Sequence, residues 1–115
     1  MATSRRTHYE WLVEEIDAHG DILDIHHADT FADVSAWSQR YPPSGDVVRH
    51  DIGLTRRIYE YFDGECGGMI DLEWAYLEDG VLPERFADSG GCETVAVPKR
   101  FRQDVQNVLD KCHSL

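Results

Sequence analysis

From Tyr9 to Asp17, the apolar residues Tyr9, Trp11 and Val13 fall on every second position, with Glu10 and Glu14 facing away. A period of two among β-formers predicts a half-buried strand. His19-Gly20-Asp21 supplies a turn, and Ile22 to Ala28 returns with Leu23 and Ile25 on one face, so the two segments read as an antiparallel hairpin. The period then lengthens. Thr30 with Asp33 three residues on is a capping-box-like start, and Phe31, Val34, Trp37 and Tyr41 form an apolar stripe at roughly helical spacing. Tyr41-Pro42-Pro43 ends that helix, because the residue before a proline is pushed out of the helical region.

Asp46 to Phe62 reads as extended, with a bulge or bend expected at Gly53, and Asp63-Gly64 through Gly67-Gly68 reads as a flexible turn. From Met69 to Leu77 the alternation is clearest: Ile70, Leu72, Trp74 and Tyr76 predict the inward face, Asp71 and Glu73 the solvent face. Glu78-Asp79-Gly80 closes this strand, and the segment to Val97 reads mostly as loop. Pro98 suits the first position of a last helix, whose Phe101, Val105, Val108, Leu109 and Cys112 share one face. The expected fold is α+β in the order ββαββα: two hairpins in one antiparallel sheet, two helices on one side, a single domain over residues 1–115.

Charge changes this picture from fold to function. The formal net charge is -11, and it is unevenly spread. Thr7 to Gln39 holds eight Asp and Glu with no Lys or Arg, and Ile58 to Glu84 repeats the pattern with eight more. All 11 Lys and Arg therefore lie outside these two blocks, against six acids. Such polarity disfavours direct binding of nucleic acid or anionic membrane and favours a basic partner. MATSRRTHYE carries no apolar run of a secretory signal, and three unpatterned cysteines, Cys66, Cys92 and Cys112, suit free thiols; the expected location is cytoplasmic.

Candidate chemistry is sparse. Asp71 and Glu73 lack the lysine of a nuclease-like Glu-x-Lys, since Trp74 and Ala75 follow. His26 and His27 are adjacent, so a strand points them to opposite faces, and His26 with Asp24 would leave a two-ligand metal site. Gly64-Glu65-Cys66-Gly67-Gly68 lacks the Lys-Ser/Thr ending of a phosphate loop, and its acidic setting would raise a thiol pKa. Neither a catalytic residue nor a cofactor is expected. Lys99, Arg100 and Arg102 crowd the first turn of the last helix, where they would bind an anion or neutralise carboxylates of the sheet, as would Arg56 and Arg57.

On a strand, alternate carboxylates recur about 6.5–7 Å apart, close to the phosphate spacing along a nucleic-acid strand. Glu10, Glu14, Asp17, Asp24, Asp71, Glu73, Glu78 and Asp79 are the expected partner-binding residues on that basis. The runs Tyr9-Glu10-Trp11, His19-Gly20-Asp21-Ile22, Asp51-Ile52-Gly53-Leu54, Trp74 to Gly80 with Leu82-Pro83, and Val97 to Phe101 resemble small uncharacterised proteins of bacteria and their phages. In size and acidity the chain is similar to phage anti-CRISPR and other DNA-mimic inhibitors. That resemblance implies a non-enzymatic inhibitor that occupies the basic nucleic-acid groove of a bacterial defence complex. Replacing Asp71 and Glu73 by lysine is then expected to abolish binding without unfolding. A small enzyme using Asp24, His26 and Cys92, with or without a metal, is one alternative class; a homodimeric scaffold joined at a sheet edge is another.

Overall fold

The computed structural model describes residues 2–113, with side chains as far as Lys111. Its elements are β1 (Thr3–Ile16), β2 (Ile22–Ala28), α1 (Phe31–Arg40), β3 (Arg49–Phe62), β4 (Glu65–Tyr76), β5 (Arg85–Ala87), β6 (Glu93–Ala96) and α2 (Lys99–His113). The fold is α+β, but the order is ββαββββα: the segment expected as loop before Val97 contributes two short strands. All pairings are antiparallel, in one six-stranded sheet ordered β2-β1-β3-β4-β5-β6.

Both helices lie on one side of this sheet. Trp11, Val13, Leu54, Ala75 and Phe86 rise from four strands to meet Phe31 and Val34 of α1 and Val105 of α2. The cap on α1 forms as the sequence implies, with Thr30 Oγ1 accepting from the Asp33 N–H at 3.1 Å. Tyr41, the last member of the α1 stripe, is exposed and serves as the C-cap. On α2, Phe101, Val108 and Leu109 pack beside Val105; the side chain of Cys112, the last position of that stripe, lies outside the described residues.

β1 is longer than the alternation suggests and β3 starts three residues later than the extended segment read from Asp46; they pair from Thr3↔Phe62 to Ile16↔Arg49 without a break. Gly53 therefore marks no bend in β3. A Cβ there would stand 2.8 Å from Cδ1 of Tyr76, so the glycine lets that ring lie flat across the strand. The bulges fall further along, where Ile70 and Gly67 of β4 are left without opposite residues. The turn between β3 and β4 is only Asp63-Gly64, so Cys66 to Gly68 belong to the strand. The first residues of β1 and the β3–β4 hairpin run past both helices as a three-stranded arm, with Phe62, Met69 and Ile70 exposed. No helix among the described residues is long and apolar enough to cross a membrane.

Candidate partner-binding face

The other side of the sheet carries no helix, and its residues follow from the register. Directly opposed residues of an antiparallel pair share a face. One row runs Glu10–Thr55–Trp74–Ala87–Glu93, a second His27–Leu12–Gly53–Tyr76, a third Ile25–Glu14–Asp51. The alternation read along β4 is real, but its sense is inverted: Trp74 and Tyr76 face the open side, while Glu73 and Ala75 face the helices. The reason is space. Ala75, 2% exposed, allows the helix layer to close over it, whereas two large aromatic rings there would hold it off.

Glu73 is consequently buried, only 3% exposed, and its carboxylate pairs with the Arg56 guanidinium across the ladder. Reversing it to lysine would set two cations together in the interior and cost the fold, so that substitution does not test binding alone. Glu14 is buried as well, 6% exposed, beneath Tyr76, whose hydroxyl donates to it. Burial pushes the Glu14 carboxyl above its usual range; the Tyr76 hydroxyl pulls the other way, and the Asp51 charge adds to the rise. The phenol of Tyr76 is raised in turn by burial and by the Glu14 charge. Glu10 is half-buried, with Oε1 at 2.6 Å from His27 Nδ1 and 3.7 Å from an Arg57 nitrogen.

These placements interrupt the carboxylate lattice along the strands. What the topology assembles instead is an acidic end. The ends of β1 and β4 and the starts of β2 and β3 all lie at the edge of the sheet opposite the arm. Asp17, Asp21, Asp24, Asp46, Glu78 and Asp79 gather there; Asp17 and Asp46 line one hollow together. All but the half-buried Asp17 are exposed. Asp17 accepts from the His19 and Asp21 N–H groups, so it also shapes its turn. Four strands span three spacings, so both acidic blocks contribute to an edge about 14 Å wide. Of the other six acids in the second block, Glu60, Asp63, Glu65 and the exposed Asp71 sit on the arm, Glu73 is buried, and Glu84 directly precedes β5. Sequence spacing missed this gathering because it depends on β3 inserting beside β1.

The cations are arranged differently. Arg5, Arg49, Arg56 and Arg57 each reach a carboxylate within the chain. Arg100 lies 5.5 Å over the Tyr9 ring and 4.6 Å over Phe101, and the buried Arg102 Nε has no hydrogen-bond partner among the described residues. Among the described residues, none of Lys99, Arg100 and Arg102 comes within ion-pair distance of a carboxylate. The adjacent histidines do point to opposite faces: His26 lies 3.1 Å from Glu15 and stacks on Trp37 on the helix side, His27 on the open side. Asp24 is 3.6 Å from His26, but Cys92 sits between β5 and β6 at the far edge of the sheet, some five strand spacings, about 24 Å, away. The three are not brought together. Cys66 and Cys92 are both free and exposed.

Beside Trp74 the sheet opens. β4 and β5 pair at a single position, Trp74↔Ala87, and a shallow groove of about 420 Å³ follows, lined by Trp74, Tyr76, Ala87, Asp88, Ser89 and Gly91. No protein-family model, curated protein or solved structure matches the chain.

Proposed function

We propose that this protein is a non-enzymatic binder of a basic protein surface, and that it makes contact through the acidic end of the sheet and the adjoining helix-free face. The observation that carries this reading is the convergence of Asp17, Asp21, Asp24, Asp46, Glu78 and Asp79, drawn from both acidic blocks and the loop between them, on one edge. Clustered like charges repel one another, and among the described residues no arginine pairs with any of these six, Arg49 at the same edge being paired with Asp51, so a cationic partner relieves that repulsion. An open face bearing Trp74, Tyr76 and Ile25 beside these charges adds the apolar contact that a stable interface needs.

In its sharper form, the basic surface is the nucleic-acid groove of a bacterial defence complex, and the carboxylates replace phosphates there. Association would be fast and salt-sensitive. The test is a triple variant, Asp21→Lys, Asp46→Lys and Glu78→Lys, at three exposed positions. Wild type on a column of bacterial lysate should retain a nucleic-acid-binding protein that salt releases and duplex DNA displaces. The triple variant should melt as wild type does and retain none of it. Retention by the variant, or indifference to salt, would overturn the reading.

A second reading has its own observation. The arm leaves the outer edge of β4 unpaired before Trp74 and that of β1 unpaired before Trp11, both open to strand addition by a second copy. Sedimentation over a hundredfold concentration range decides between monomer and dimer.

A further inference from the structure

We infer that the groove between Trp74, Tyr76 and the β5–β6 turn receives an arginine side chain, the anchor that the basic partner inserts into the open face. This rests on the proposed function for the identity of the partner, but the groove's chemistry stands on its own geometry. Two aromatic side chains and Ala87 form its floor, which suits a flat, weakly hydrated group. The Asp88 carboxylate lies in its lining, and Glu93 shares the face one strand beyond Ala87. Glu14 and Asp51 lie in the rows beside Tyr76. A cation is the complementary occupant, and a planar one uses the rings best.

The chain applies the same chemistry to itself elsewhere. Arg6 lies 4.5 Å over Tyr61, Arg40 lies 5.4 Å over Tyr41, and Arg100 covers Tyr9 and Phe101. Among the described residues, no arginine covers Trp74 or Tyr76. Arg85, on the same strand as Ala87, ties its Nη1 to the Thr94 carbonyl at 2.8 Å and does not line the groove.

The wall is also built in advance. Asp88 Oδ1 accepts from the Gly90 and Cys92 N–H groups at 2.9 and 3.0 Å, the Asp88 N–H donates to the Cys92 carbonyl, and Gly91 takes the positive φ of 82° that closes the turn. Thr94 Oγ1 donates to the Phe86 carbonyl and fixes the hairpin from its other strand. A ligand therefore meets a fixed surface and need not order it.

The probe is N-acetyl-arginine amide, titrated into the ¹⁵N-labelled full chain, with the neutral isostere N-acetyl-citrulline amide as control. The arginine probe should shift the Trp74 indole N–H and the amides of Ala87 to Gly91 saturably, and bind about tenfold more tightly than citrulline. Trp74→Leu should abolish the shifts. Ser89→Leu, which narrows the groove from an exposed loop, should weaken binding at least threefold and leaves the sheet untouched should Trp74→Leu fail to fold. Equal shifts from citrulline, no saturable shift, or full binding by a folded Ser89→Leu protein would each overturn the inference. The lysate experiment is independent: arginine binding here with no retained partner would leave the groove standing and remove the proposed function, and the reverse result would do the opposite.

Discussion

The two sides of the sheet each bury a glutamate, and they satisfy it in different ways. On the helix side Glu73 meets a cation, Arg56, and remains a full ion pair in the interior. On the open side Glu14 meets only the neutral hydroxyl of Tyr76, with Asp51 as a second negative charge nearby. The first arrangement sets an opposite charge against the buried carboxylate, at the cost of taking two ions out of water. The second penalises the charge, so the same residue type becomes a group that holds its proton more tightly. The helix side is thus locked by charge, while the open side depends on one ring lying across one glycine.

The comparison breaks most sharply at Arg56. Arg56→Met should leave Glu73 buried and unpaired, at a cost of about 3–5 kcal/mol, read as a lower urea midpoint. Adding Glu73→Leu to that variant should recover most of the loss, because the apolar pair needs no counter-ion. A single variant as stable as wild type would show that the ion pair holds nothing.

Next comes Gly53→Ala. Its methyl would fall 2.8 Å from the Tyr76 ring, so the ring must lift from the strand. We expect a loss of about 1–3 kcal/mol from overpacking, with Glu14 newly wetted and its pKa returning toward the ordinary carboxyl range. An unchanged melting temperature would mean that Tyr76 yields freely.

Glu14→Gln should have the smallest effect, and the opposite sign. Because folding raises this carboxyl pKa, the folded chain binds the proton more tightly than the unfolded one. Wild-type stability therefore falls as pH rises from the ordinary carboxyl range through the raised folded value. The variant should be about 1 kcal/mol more stable at neutral pH, with the difference closing on acidification to about pH 4. A difference that stays constant across that range would deny the raised pKa.

Much of this was legible in the chain. Trp11 and Val13 set the inward face of β1, Thr30 capped α1, and Phe101, Val105, Val108 and Leu109 marked the face of α2. β5 and β6 were not, because three or four residues beside Pro83 and Gly90-Gly91 are too short to show a period. Nor was the start of β1: Thr3 to His8 is exposed and carries no apolar alternation to read. The inward sense of β4 failed for another reason, since large aromatic residues usually mark the core and here mark the open face. Gly53 held the available signal, as a glycine inside a strand often marks a place where another group must come close.

The central pairing of the sheet joins its most distant partners. β1 emerges first in synthesis, yet its long ladder needs β3, and Thr3 must wait for Phe62. Until then β2 and Phe31 of α1 can hold it, and the β2 ladder reaches no further back than Trp11. Closing so large a loop before any contact rewards it slows the search, so folding should be limited by the docking of β1 on a preformed β3–β4 hairpin. The open strand edges of the finished arm are a smaller version of what the chain exposes throughout that wait.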